Sequence, residues 1–270
     1  MQCYLKFIPL IYCLIFSPII SCTFVNDEVC TPRYKDTVII KRNPCEVINE
    51  GLVACYAFSG NADDGSGYGN HGTIHGAVFT KDRFGDDSSA LYFDGIDDYV
   101  IAPDAPILRI RNSITLAAWF KTNDPNLNTD GQKAIIVCKH RTHYKRSYTL
   151  LTSDMTSLSE HVGMELFEPD NTPYYIFYYN SYWDDLWHFL VTTYDYNRMS
   201  ASIYVDGHLI LNNYIGRLNL MINNIPLTIG CYVDPFDSTK QRGFFHGIID
   251  DVQVFDRALT MEEILKIYEH

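Results

Sequence analysis

The 270-residue sequence contains no Cys-x-x-Cys, no His-Glu-x-x-His, no Gly-x-Ser-x-Gly and no Asn-x-Ser/Thr. The first two absences remove the common zinc frames. The third removes the nucleophile elbow of an α/β-hydrolase, and the fourth fits a chain not selected for N-glycans. Positive charge is scarce: 21 Lys and Arg stand against 33 Asp and Glu, a formal net charge of −12. That balance disfavours wholesale binding to nucleic acid or to an anionic membrane. There is no internal repeat, no low-complexity tract and almost no helical periodicity. The uncharged apolar run from Phe7 to Ile20 is short and interrupted by Pro9 and Pro18, which argues against a mature membrane span.

That run follows Lys6 and ends at Ser21-Cys22, the layout of a secretory signal. Residues 1–21 therefore read as a signal peptide and residues 22–48 as a polar tether, with one short strand at Thr37–Lys41. Residues 49–270 read as a single domain. Ile19-Ile20-Ser21-Cys22 resembles a bacterial lipobox, which would put a lipid on Cys22; an ordinary signal cleavage nearby is the competing reading. Either way the chain is expected to be secreted, or lipid-anchored at the cell surface or outer membrane. In an exported protein, Cys30 and Cys45 could form a disulfide. Cys55, Cys138 and Cys231 lie in apolar strand-like runs and read as buried free thiols.

From Gly51 onward about a dozen short apolar or alternating segments are separated by turn residues. Asp206-Gly207, between Ala201–Val205 and His208–Leu211, is the clearest hairpin turn. The one helix expected begins at Thr260-Met261-Glu262-Glu263, which has capping-box spacing, and carries Ile264, Leu265, Ile267 and Tyr268 as its stripe. The fold class is all-β, a sandwich or barrel with a short C-terminal helix.

Two stretches stand out. In the closing strand, alternation puts Ile248, Asp250, Val252 and Val254 on one face and Ile249, Asp251, Gln253 and Phe255 on the other. Asp250 then shares an apolar face and needs a partner. The Ser59–Gly72 stretch is so rich in Gly, Asp and Asn that it suits tight turns and oxygen-rich cation cages.

Landmarks along the chain fall in the order of one family. They are Gly51-Leu52-Val53, Phe93-Asp94-Gly95-Ile96-Asp97-Asp98-Tyr99-Val100, Ile114-Thr115-Leu116-Ala117-Ala118-Trp119-Phe120, Tyr204-Val205-Asp206-Gly207 and Gly247-Ile248-Ile249-Asp250-Asp251-Val252, followed by Arg257-Ala258-Leu259. Over residues 49 to 270 the chain resembles a laminin-G-like jelly-roll domain of the concanavalin A-like superfamily. The resemblance implies a two-sheet antiparallel sandwich with a cation held where the early Asp/Gly loop meets the last long strand. Carried onto this sequence, the ligands are Asp64, Asn70 and Asp250 with a backbone carbonyl from Gly67 or a neighbour, and Asp63 is an alternative to Asp64. Hard oxygen donors favour calcium over zinc.

Two features could bind a partner. Lys139–Arg146 concentrates positive charge, with Arg141, Lys145 and Arg146 suited to a sulfated or carboxylated glycan or an acidic protein. Aromatic residues crowd Tyr174–Trp183; most read as core and cover, which leaves Tyr182 and Trp183, beyond the strand, as the exposed candidates. Trp119 and Trp187 read as core, and His71 and His75 as surface loop residues. For catalysis, Glu-x-Asp-x-x-Glu is absent, and Glu165 and Glu168 are three apart, so a regular strand points them to opposite faces. They read as a strand edge and its turn.

The expected function is a non-catalytic, calcium-stabilised extracellular module that binds a carbohydrate, acidic glycans included, or a protein. A polysaccharide-degrading enzyme on the same scaffold and an adhesion protein without a small ligand are the alternatives.

Overall fold

The structure is a computed structural model and describes residues 43–123, 134–140, 145–153, 161–233 and 241–270. The expected strand at Thr37–Lys41, together with Cys22, Cys30 and Arg141, lies outside them. In chain order the strands are β1 (Leu52–Tyr56), β2 (Thr73–His75), β3 (Val78–Thr80), β4 (Ala90–Asp94), β5 (Tyr99–Ala102) and β6 (Ile114–Lys121). There follow β7 (Ala134–Lys139), β8 (Tyr148–Ser153), β9 (Val162–Phe167), β10 (Pro173–Tyr178), β11 (Trp187–Asp195) and β12 (Ser200–Val205). The last are β13 (His208–Tyr214), β14 (Leu227–Ile229), β15 (Tyr232–Val233), β16 (Gln241–Arg242) and β17 (His246–Phe255), before helix α1 (Met261–Tyr268).

One sheet runs β13-β12-β11-β6-β17-β4-β3, with β1 also on β17; the other runs β10-β9-β8-β7-β14-β5-β2. All pairings within them are antiparallel. Their facing sides make one core, with Leu116, Phe120 and Leu190 from the first sheet meeting Val137, Leu150 and Met164 from the second. This is the expected jelly-roll sandwich. Helix α1 covers the outer face of the first sheet, where Ile264 and Ile267 join Trp119, Phe189 and Val191 and Tyr268 stacks on Trp119. The capping box forms as read: Thr260 Oγ1 accepts from Glu263 N and Glu263 Oε2 accepts from Thr260 N.

Three expectations are corrected. Alternation fails in β17, because Asp251 has a left-handed backbone (φ 48°) and the β17–β6 register slips between Asp250 and Gln253. The extra residue of this bulge shifts the phase. Ile249, Val252 and Val254 face the core, while Asp250 lies beside Trp119 on the outer face. Cys45 bonds Cys55 rather than Cys30, so Cys55 is not a free thiol; Cys138 and Cys231 are buried cysteines outside that disulfide. The domain also starts before residue 49: Cys45 is buried, and Gln253 Nε2 donates to Pro44 O at 3.0 Å.

Candidate functional site: a basic groove at the sandwich rim

The anticipated calcium ligands do not assemble into one site. Asp64 and Asn70 do meet, but as a hydrogen-bonded knot. Asp64 Oδ1 accepts from Cys55 N and Ser66 N, and Oδ2 accepts from Ser66 Oγ and Asn70 N, at 2.8–3.0 Å. An ionised carboxylate offers about four lone-pair sites, so this one is filled by N–H and O–H donors. Asn70 Nδ2 is spent on Val53 O at 2.9 Å. Gly67, at φ +90°, shapes the exposed tip of the loop. Asp63 faces His71 at 3.3 Å.

Asp250 is held by a cation from the chain itself. Arg83 Nη1 lies 3.4 Å from its Oδ2 and donates to Asp251 Oδ2 at 2.7 Å, with the guanidinium over Trp119. The donor set thus does not fit the expected ion. Among the described residues, the three carboxylates whose oxygens approach within 4.8 Å are Asp94, Asp97 and Asp98. Two of these close their own turn by accepting backbone N–H groups: Asp94 Oδ1 from Ile96 and Asp97, and Asp98 Oδ2 from Asp94.

The glutamates considered for catalysis part ways. Glu165 is not at a strand edge but fully buried mid-β9, 4.0 Å from His140, which in turn meets Thr149 Oγ1 at 3.2 Å. Glu168 sits at the rim, bonded by Tyr174 OH and Asn219 N.

Of the basic run, Lys145 and Arg146 sit where β7 and β8 meet the rim. A groove of about 410 Å³ opens there, lined by Arg109, Lys145, Met221, Ile222, Asn223 and Asn224. That volume is within the range of small-ligand sites. Lys145, with a left-handed backbone (φ 66°), reaches Asn224 Oδ1 at 2.9 Å and makes no ion pair among the described residues. Asn223 is buried and ties the walls together: its Nδ2 donates to Lys145 O and Lys139 O, and its Oδ1 accepts from Ile225 N.

Charge is anchored beneath the groove. Asp104 accepts from Arg109 Nε at 3.1 Å and from the fully buried Lys139 Nζ, which also donates to Ile225 O. Burial pushes the Asp104 carboxyl up, but Arg109 and Lys139 outweigh it and hold it below its ordinary value. Burial drives the Lys139 ammonium down against the opposing pull of Asp104. One carboxylate thus holds two cations in place, and Lys145 remains for a ligand. Arg109 and the Met221–Asn224 wall went unnoticed in the sequence because nothing local connects residues so far apart.

Tyr182 and Trp183 lie at the other end of the sandwich. Tyr182 meets His188 edge-on at 4.9 Å, and His188 pairs with Phe120 near the end of β6. The groove lies toward the opposite end, where Leu220 N donates to Arg111 O shortly before β6 begins. Along β6, Ile114 to Phe120 alone spans about 20 Å at the rise of a strand. Both aromatics are half-buried, whereas Tyr175 and Tyr179 of the same stretch are exposed.

Residues 93–265 match the sequence profile of the concanavalin A-like lectin/glucanases superfamily, in its laminin-G form. No curated protein matches the sequence significantly. Among solved structures, the botulinum neurotoxin serotype D binding domain is similar at TM-score 0.62 and 15% identity, over 84% of this chain and 52% of that one. The serotype G binding domain is similar at 0.61 and 17%, over 81% and 50%. The binding domain of Paraclostridial Mosquitocidal Protein 1 gives 0.60 and 16%, over 81% and 52%. The chain spans about half the length of each, and at such identity the likeness is one of fold.

Proposed function

The chain belongs to the laminin-G-like part of the concanavalin A-like lectin/glucanases superfamily, and from that premise we propose that it is a non-catalytic extracellular module that binds an acidic saccharide in the rim groove. The observation that carries this is the pairing of Lys145 and Arg109 across Met221, Ile222 and Asn224 in a protein of net charge −12. A sugar carboxylate or sulfate would accept from Lys145 Nζ. The hydroxyls would bond Asn224 and the apolar side chains would cover the ring faces. The acidic surroundings would repel polyanions that lack this fit.

An extracellular setting is supported by the Cys45–Cys55 disulfide, since such bonds persist in oxidising compartments. It is supported as well by the signal-like start of the sequence, whether Cys22 carries a lipid or the chain is released. That domains named as toxin binding domains share the fold agrees with a binding role and says nothing of this ligand. Calcium has no part in this reading, because the Asp64 lone pairs are filled and Asp250 is neutralised by Arg83.

The test is a glycan array spanning neutral, carboxylated and sulfated saccharides. Signal confined to the acidic ones is expected. Silence across all of them, or signal on neutral glycans alone, would overturn the proposal.

A further inference from the structure

The groove continues beyond its lining residues. Met221 N donates to Phe167 O at 2.7 Å, which joins the groove wall to the last residue of β9. A file of rings starts from Phe167 and follows β10. Phe167 meets Tyr175 edge-on at 6.4 Å, Tyr175 stacks on Phe177 at 5.7 Å, and His161 lies 4.5 Å from Phe177 and 5.4 Å from Tyr179. The Arg146 guanidinium lies 4.9 Å over Phe167 at the head of the file. Among the described residues it makes no ion pair, and its buried Nε has no hydrogen-bond partner.

The fold uses one side of this file, since Phe167 and His161 are buried and Phe177 packs against Ile135, Cys138, Leu151 and Tyr232, and leaves its two tyrosines to solvent. Tyr174, Ile176 and Tyr178 are the residues of β10 that pack on the core, so Tyr175, Phe177 and Tyr179 point to the other face. Tyr175 is 52% exposed and Tyr179 62%, and β10 is the edge strand of its sheet. Large aromatic side chains gathered on an exposed face mark an interaction surface.

Resting on the acidic-saccharide reading of the groove, we infer that this ring file is a second part of the same site, so that the ligand is an acidic oligosaccharide bound along its length. Its first charged units meet Lys145 and Arg146, and the units that follow lie on Tyr175, Phe177 and Tyr179. Tyr175 to Tyr179 spans about 13 Å, room for more than one pyranose ring. An oligosaccharide suits the surface better than a peptide added at the sheet edge. Edge pairing would use the β10 main chain, whereas the exposed feature is the ring-bearing face, and the unpaired charge at its head calls for an anion.

The experiment titrates di-, tetra-, hexa- and octasaccharides of galacturonic acid into the full protein, with polyglutamate as an equally charged probe without rings. Affinity should climb with length in the wild type. Tyr175→Ala and Tyr179→Ala should each weaken the octasaccharide by about three- to tenfold and leave the disaccharide unchanged. Octasaccharide should also shield Tyr175 and Tyr179 of the unaltered protein from nitration, a readout that needs no variant. Length-independent binding that stays sensitive to Lys145→Glu, with both tyrosines unshielded, would overturn this inference and leave the groove proposal standing. Polyglutamate bound as tightly as octasaccharide would also overturn it, and no binding at any length would sink both.

Discussion

Arg83 donates from Nη1 to Asp251 Oδ2 at 2.7 Å, tying the β3–β4 connection to the bulge of a strand 168 residues later. The same nitrogen stands 3.4 Å from Asp250, and all three side chains are at least nine-tenths buried. Burial and the neighbouring Asp251 charge drive the Asp250 carboxyl well up. Burial pushes Asp251 up to about 6 even against Arg83. Replacing Arg83 by Met leaves two buried acids unpaired and should cost about 3–5 kcal/mol at neutral pH by denaturant unfolding. Asp250→Asn should cost far less, because a neutral amide of the same shape can still accept from Asp251 N and leaves the Arg83–Asp251 bond.

The pH dependence of this cluster has a definite sign. A folded pKa raised above the unfolded one contributes stability that is fully present below the ordinary carboxylate range and is lost as pH rises through about 6 for Asp251. The Arg83→Met deficit should therefore shrink markedly at pH near 4, where both acids can hold protons. A deficit that stays constant across this range would contradict the assignment.

His188 is clamped at both nitrogens, Nδ1 to Asp206 at 2.9 Å and Nε2 to Asp184 at 3.2 Å. Both nitrogens donate only in the imidazolium. Burial favours the neutral ring, but the two carboxylates outweigh it and raise the pKa. The sign is that of a raised group: the contribution is whole below the ordinary histidine value of about 6.5 and is lost as pH rises through the folded value. Above it one bond must open, and the half-exposed Asp184 is the partner freed. Exchange at Asp185 N, which donates to Thr122 O, should then quicken beyond the ordinary base catalysis of exchange, and His188→Gln should remove that excess. A histidine titrating at or below its ordinary value would contradict this.

The Cys45–Cys55 bond closes a short loop at the outer face of the first sheet, and Gly65 passes so near that a Cβ there would lie 2.5 Å from Cys45 Sγ. Reduction, or Cys45→Ala with Cys55→Ala, should cost about 2–3 kcal/mol. Gly65→Ala should be destabilising only while the bridge is intact. An equal penalty in the reduced protein would mean that the disulfide is not what crowds Gly65.

Asp64 organises its loop through backbone donors and a serine hydroxyl, so Asp64→Ala should destabilise by several kcal/mol by leaving buried N–H groups unmet. The difference in melting temperature between variant and wild type should be the same with excess calcium and with chelator. A difference present only with calcium would restore the ion.

Much of this architecture is legible locally. Asp206-Gly207 and the Thr260–Glu263 capping box are short-range chemistry, and both form where they were read. The bulge at Asp251 was not legible, because alternation assumes a regular strand and nothing in Ile249-Asp250-Asp251-Val252 announces a left-handed residue. Arg83 as the partner of Asp250 was equally hidden, since one cation among many is chosen by tertiary proximity. The basic run did point to Lys145 and Arg146, but Arg109, Asp104 and the 221–224 wall come together only through the β-strand register. Among the aromatics, Tyr175 and Tyr179 read as cover in the sequence because the edge position of β10 is a property of the whole sheet.

The most direct measurement is a calorimetric titration of the galacturonic acid octasaccharide into wild type, Lys145→Arg and Lys145→Glu at low and moderate salt. The groove predicts binding that weakens with salt, is kept by the arginine variant and falls at least about tenfold on charge reversal. Equal affinity for wild type and Lys145→Glu would contradict it.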